Sequence, residues 1–397
     1  MDRSITQIIR HRFYMKNKQA FSKKKFLLYA IMIFLPLVVC SVAYMSYAAY
    51  QTIDFYQSIK TKERGWEGNV HVADAELGFS PVPNSYGTHL FPMGPDIPMR
   101  YDEDGFRVPV EKIEGSSKHP RPLVLALGCS VTYGDASYAK DTYPYLVGKS
   151  LKGTSKNAGV CSYGLSQMLL LAKKLLPIHK PDYLLVQYSP WLVSRAQDPF
   201  APSSYGKVPT PFFYDIGDNF ALNSPVFLAK VMELPIDRYR HGERGVMDAL
   251  SFYWNVGLPL FFHDDFNMLK YYISRSIGIL PNPTKRREDL VEYVYGEIYN
   301  EAKEHGAKLV IVVLGAAAKP VVVKDLSFPS DAILVHAHDA LLNYLTSVNN
   351  IDYMRAYAHW RGSPRRLVDI HPNKFAHRII ARAIVSTIAQ AEMETSN

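Results

Sequence analysis

The hydrophobic pattern opens with a run from Phe26 to about Tyr50 that carries no charged side chain and follows directly on Lys23-Lys24-Lys25. At about 1.5 Å of helical rise per residue it is long enough to cross a hydrocarbon layer of about 30 Å. Pro36 lies inside it and predicts a kink that still permits insertion. Beyond residue 120 the pattern becomes that of an α/β domain. Leu123-Val124-Leu125-Ala126-Leu127 is a short continuous apolar run ending in glycine, as a buried parallel strand requires. A helix is predicted near Tyr143–Lys152 and a short strand ending near Val160. Ser166–Leu176 reads as a helix stopped by Pro177, and Tyr183–Tyr188 as a second buried strand. Arg287–His305 has the amphipathic period of a long helix with Gly306 as its cap. Lys308–Leu314 reads as a strand, Asp331–Ser347 as a helix, Ile351–Tyr357 as a fifth strand and Lys374–Ala391 as the last helix. Strands alternating with helices imply right-handed crossovers and a parallel sheet covered on both faces. In such sheets ligands bind beyond the carboxyl ends of the strands.

These patterns divide the chain into a basic tail (1–25), a transmembrane helix (26–50), a Pro-punctuated connecting region (51–120) and an α/β domain (121–392). An insertion at about 196–283, rich in Phe, Tyr, Trp and Pro, interrupts the alternation. It is read as lying over or beside the sheet, either against substrate or as a packing subdomain.

The formal charge of +8 invites a nucleic-acid reading, but its distribution removes it. Residues 1–25 hold eight Lys and Arg against Asp2 alone, a net of +7, leaving about +1 for the rest. The cationic flank predicts that the tail stays cytoplasmic and that everything after residue 50 lies outside, in the periplasm for an inner-membrane protein. A cleaved signal peptide is the competing reading, since Ser41-Val42-Ala43 loosely fits a cleavage pattern. The length of the cationic and apolar stretches favours a retained anchor. The three cysteines, Cys40, Cys129 and Cys161, are too few for a disulfide scaffold or a cysteine-based metal framework.

Candidate chemistry begins where the first strand runs into Gly128-Cys129-Ser130-Val131-Thr132-Tyr133-Gly134. A serine immediately beyond a buried strand projects its hydroxyl into the crevice at the sheet's carboxyl edge, and the helix that follows favours a developing oxyanion there. A simple helix cap is the bland alternative. This is not the elbow of α/β-hydrolases, because no glycine stands two residues after Ser130. Far downstream, Asp369-Ile370-His371-Pro372-Asn373 offers a base and a carboxylate to orient it. His377 is a weaker candidate because it falls within the last helix.

Three blocks together resemble the SGNH (GDSL-type) hydrolases. Gly128–Gly134 resembles the first block, Asn157–Gly164 with Gln167 the second, and Asp369-x-His371-Pro372-Asn373 the last, in the family's order and spanning roughly residues 100–392. Gly105-Phe106-Arg107 is similar to membrane-linked bacterial members. The resemblance implies a flavodoxin-like three-layer α/β domain with a central parallel sheet. No cofactor or metal is expected, because His371 and Asp369 are too few for a recognisable metal site. It implies Ser130 as nucleophile, His371 as general base, Asp369 as the orienting acid, and backbone N–H groups of Ser130 and Ser162 as oxyanion donors. It implies acyl chemistry on carbohydrates or lipids, by hydrolysis or transfer.

Three departures stand out. Cys129 replaces the first-block aspartate and Ser162 the second-block glycine. The third-block asparagine is missing, with Ser189-Pro190-Trp191-Leu192 after the strand instead. Losing one such donor typically costs about 100- to 1000-fold in turnover. Ser189, Trp191, Gln187 and Arg195 are the candidate replacements. Cys129 and Cys161 fall at corresponding ends of strands the family places side by side, so a disulfide between them is one expectation. The leading function is a membrane-anchored esterase or O-acetyltransferase acting on an envelope glycan or glycolipid. The alternative is an inactive scaffold that binds glycan or a protein partner.

Overall fold

The computed structural model describes residues 3–61, 66–91, 93–111, 120–203, 206–241, 245–349 and 352–396. The apolar run lies in one helix, α1 (Arg3–Lys60), which continues well past Tyr50 and passes through Pro36. Its stretch from Lys23 is long and apolar enough to cross a membrane.

Five parallel strands form the central sheet: β1 (Leu123–Leu127), β2 (Thr154–Asn157), β3 (Tyr183–Tyr188), β4 (Lys308–Val313) and β5 (Ile333–Val335). They are ordered β2-β1-β3-β4-β5, the flavodoxin-like order, whose switch point lies beside β1. Every residue of β1 and β3 is buried, which is why these strands read as unbroken apolar runs. Helices α3 (Tyr143–Ser150), α10 (Ala337–Ser347) and α12 (Lys374–Ser396) pack together on one side of the sheet. On the other side α4 (Leu165–His179) packs against α9 (Arg287–Glu304), giving the expected three layers. Gly306, at φ +75°, closes α9 as its sequence position predicts.

Three local expectations are corrected. The stretch read as a fifth strand is the short helix α11 (Tyr353–Tyr357), because Asp352 caps it by accepting the Arg355 N–H at 2.9 Å. The fifth strand is Ile333–Val335, inside a segment read as helix; three residues are too few to reveal a period. Helix α4 runs through Pro177 to His179. The proline falls in the last turn, where the freed carbonyl belongs to the exposed residue Lys173.

Within the connecting region, residues 66–91 and 93–111 contain short antiparallel strand pairs. Leu77, Phe79 and Phe106 enter the main core, so this segment is packed into the α/β unit. The insertion contributes two hairpins and the helices α6 (Ile236–Arg240), α7 (Val246–Phe252) and α8 (Leu258–Ser276), the last two joined by a π-helical turn.

Candidate active site

β1 delivers the chain to Gly128 and Cys129, and α2 (Ser130–Tyr133) starts at once. Gly128 is required by packing: a Cβ there would lie 2.0 Å from Thr132 Oγ1. Gln187, near the end of β3, clamps the turn from the neighbouring strand. Its Oε1 accepts from the Cys129 N–H at 3.2 Å and from the Thr132 hydroxyl at 2.8 Å. Asn157, the last residue of β2, donates to the Thr132 carbonyl at 3.0 Å. From the hairpin segment Arg107 donates to the carbonyls of Tyr133, Gly134 and Ser137, and its guanidinium lies 4.0 Å from the Tyr133 ring centre. The carbonyl end of the short helix thus meets a buried cation, the sign its dipole favours.

His371 is brought over this turn by the loop between the strand Arg366–Asp369 and α12. Its Nε2 lies 2.8 Å from Ser130 Oγ, and its Nδ1 lies 2.8 Å from Asp369 Oδ1. The same carboxylate oxygen accepts the His371 backbone N–H at 2.7 Å. That double contact is how an Asp only two residues away orients the ring, despite a spacing one residue shorter than the family's.

A second carboxylate stands behind the ring. Asp135 Oδ2 is 3.7 Å from His371 Nδ1, and its Oδ1 is 2.6 Å from His89 Nδ1. Burial would raise the Asp135 pKa, but the charges of His89 and then His371 hold it well below the ordinary carboxylate range. Burial would likewise lower the His371 pKa. The Asp135 charge, then the hydrogen bond and charge of Asp369, outweigh it and raise the ring to about 9. At neutral pH His371 therefore rests protonated and donates to Ser130.

The other sequence candidates separate cleanly. His377 is buried on α12, where its Nδ1 accepts the Tyr143 N–H at 3.2 Å and burial pushes its pKa down to about 3. It is a structural histidine. Ser162 holds φ at +69°, the conformation a glycine would take without strain, and lines the cavity beside Ser130. Ser189 does not reach the site: it is fully buried and its Oγ accepts from Gln187 Nε2 at 2.8 Å. Gln187 is occupied in turn by the Ser130 loop. Of the proposed replacement donors only Arg195 and Trp191, both on α5 (Pro190–Ala196), line the cavities at Ser130. Cys129 and Cys161 are both free thiols, so the pairing that the sequence left open is not made. Cys129 is instead held within its own turn, its Sγ 3.4 Å from Gln187 Oε1.

Two cavities meet at Ser130, His371 and Arg195. One, of about 340 Å³, is walled by Trp66, Phe79, Met99, Tyr133 and Met232. The other, of about 230 Å³, is bordered by Trp191, Tyr353, Tyr357 and Ile370.

No family model and no curated protein matches the chain. Solved structures do. The chain is similar to TesA at 10% identity, covering 68% of this chain and 99% of that one, with a TM-score of 0.31. It is similar to a catalytic mutant of Axe2, an acetylxylan esterase from Geobacillus stearothermophilus, at 12% identity over 69% of this chain and 96% of that one (TM-score 0.34). A lipolytic protein of the G-D-S-L family from Desulfitobacterium hafniense is similar at 9% identity over 67% and 99% (TM-score 0.28). The fold rests on the strand order and layers given above, and the chemistry on the geometry at Ser130.

Asp135 and His89 were not singled out in the sequence. Asp135 sits five residues past Ser130 without a motif of its own, and His89 comes from a hairpin whose docking no local pattern announces. Asp135, Asp369 and His371 hold three metal-ligand atoms within 4.8 Å of one another. A metal there would have to displace the hydrogen bonds that orient the His371 ring.

Proposed function

We propose that this chain is a membrane-anchored, extracytoplasmic serine enzyme that hydrolyses or transfers acyl esters of a glycan or glycolipid. The carrying observation is the unbroken series Ser130 Oγ, His371, Asp369, with 2.8 Å at each hydrogen bond, opening on two cavities. Ser130 is the nucleophile. As its Oγ attacks the acyl carbonyl, unprotonated His371 takes the hydroxyl proton at Nε2, and Asp369 holds the ring and stabilises the imidazolium. The tetrahedral oxyanion is met by the N–H groups of Ser130 and Ser162, with Arg195 and Trp191 taking the place of the family's asparagine. His371 then protonates the leaving alkoxide, leaving acyl-Ser130. In the second half His371 removes a proton from water or from an acceptor hydroxyl, which takes the acyl group, and returns that proton to the departing Ser130 Oγ. Cavities on two sides of one serine suit an acyl group in one and an alcohol in the other. The aromatic borders suit the faces of sugar rings. The apolar part of α1 serves as the anchor, with the basic tail cytoplasmic and the α/β unit periplasmic.

A scaffold without catalysis is the second reading, favoured by the turning of Ser189 into the core. The deciding experiment uses the full chain in detergent with p-nitrophenyl acetate and a fluorophosphonate probe, at pH 7 and pH 9. Labelling should map to Ser130, and Ser130→Ala should remove both labelling and turnover, by about 10⁴-fold or more. A folded protein that neither labels nor turns over at either pH would leave the scaffold reading.

A further inference from the structure

The arm formed by α7 and α8 runs antiparallel to the outer part of α1. Lys60 pairs with Asp248 at 3.1 Å, and the Tyr56 hydroxyl donates to the same carboxylate at 2.7 Å. Phe55 packs on Phe252 with ring centres 5.7 Å apart, and Thr52 abuts Gly257. Lowest on α1, the Tyr44 hydroxyl donates to Asp265 at 3.1 Å. α1 and α8 therefore meet at the level of Tyr44.

That level has a meaning along α1. From Phe26 to Met45 is 20 residues, and at 1.5 Å per residue they span about 30 Å, the thickness of a hydrocarbon core. An anchor whose apolar span starts at Phe26 thus leaves the hydrocarbon where α8 crosses it.

α8 has a face to match. Phe262, Phe266, Leu269, Ile273 and Ile277 follow one another at steps of four, three, four and four, and each is between 52% and 65% exposed. At 100° per residue they form one stripe. Leu260 and Tyr271, 2% exposed, lie on the opposite side of the helix and pack into the domain. Asp265 lies to the side of the stripe, toward α1. The stripe therefore points away from the domain and adjoins the exposed apolar surface of α1. Lys270 borders it, and the exposed Trp254 stands in the π-helical turn that leads into α8.

We propose that α8 enters the outer part of the phospholipid bilayer beside α1, its Phe262–Ile277 stripe facing lipid where α1 emerges, so that the domain is docked on the membrane rather than tethered above it. Soluble proteins do not ordinarily leave such a stripe in water. A helix packed on its domain by one side, as by Leu260 and Tyr271, with an exposed apolar stripe on the other and a membrane-length helix beside it has lipid as the natural cover for that stripe. The inference rests on the proposed anchor, and the test separates the two.

Full-length chain with Trp66, Trp191, Trp254 and Trp360 replaced by Phe is reconstituted in phosphatidylcholine vesicles carrying bromine either high or deep on the acyl chains, and the fluorescence of single added tryptophans is compared. Leu35→Trp reports the span, Phe266→Trp the stripe, and Ile178→Trp an exposed apolar site on α4. Deep bromines should quench the tryptophan at 35. Shallow bromines should quench that at 266 at least about twofold more than that at 178. Quenching at 35 with 266 no different from 178 would overturn the docking and keep the anchor; a second copy or a protein partner on the stripe gives this same result. No quenching at 35 would overturn both.

Discussion

At the carboxyl edge of the sheet, Ser130 and Asp135 are polar groups taken out of water beside the half-buried His371, and each is hydrogen-bonded or ion-paired to another. Along α8, Phe262, Phe266 and Leu269 are apolar groups left in water, with the packed side of the helix turned away from them. Both regions run against the ordinary sorting of side chains, in opposite directions. The first is tolerable because polar partners replace lost hydration. The second is tolerable where the surroundings are not water. The comparison teaches that a departure from the burial rule carries meaning through what accompanies it: a closed polar network at the sheet edge, a neighbouring membrane-length helix at the arm.

The sharpest way to strain this comparison is to leave the edge packed and spoil one polar contact. Asp369→Asn keeps the size of the side chain but removes the charge that stabilises the imidazolium. Turnover should fall by about 10³- to 10⁴-fold with the fold intact by circular dichroism. A fall below about tenfold would mean that Asp135 is the working carboxylate.

The next effect concerns stability in the two regions together. Arg107→Met removes three charged hydrogen bonds beneath Ser130. The Gly134 carbonyl keeps the Ser137 N–H and the Tyr133 carbonyl a long bond from Asn157. The loss of the buried charged bonds themselves should therefore cost about 3 kcal/mol in detergent. Phe266→Asp on the stripe should change stability by less than about 0.5 kcal/mol under the same conditions. Equal losses in denaturant melts would show that the stripe is packed in a way the arm's exposure denies.

The mildest effect is a displaced pH profile. In the parent, kcat/KM should rise with pH to an inflection near 9, since only unprotonated His371 accepts the Ser130 proton. The linked stability has the opposite sign. With the folded pKa raised above the ordinary histidine value, protonated His371 stabilises the fold fully below about 6.5, and this is lost as pH rises through about 9. Asp135→Asn removes the largest charge raising that pKa, so the acid limb should move down by about one unit or more. An unmoved limb would show that Asp135 does not act on the ring.

Much of the site was legible before the fold was known. Ser130 stands after an unmistakable buried strand, and Asp369 with His371 stands directly before a long helix, so local context alone nominates them. His377, ranked below His371 for its place within a helix, lies buried on α12 with its Nδ1 on the Tyr143 N–H, because a helix-interior position has little freedom to reach a neighbouring loop. Ser189 was misplaced as a donor because a serine after a strand looks alike from sequence whether it turns outward or inward. Gln187 two residues earlier turns it inward, by spending its amide on both the Ser130 loop and the Ser189 hydroxyl.

By itself, the sequence determined what depends on neighbours along the chain. Those are the membrane-length helix, the buried strands β1, β3 and β4, the helices α9 and α12, and the residue types able to carry acyl transfer. Their signals are periodicities and caps, set by the backbone's own geometry. Only the tertiary structure decided what depends on distant segments meeting. It brought Asp135 and His89 behind His371 and Arg107 under the Ser130 turn, left Cys129 and Cys161 unpaired, and laid the α8 stripe beside Tyr44. Such contacts form between groups tens to hundreds of residues apart, and no local pattern records a distance in space.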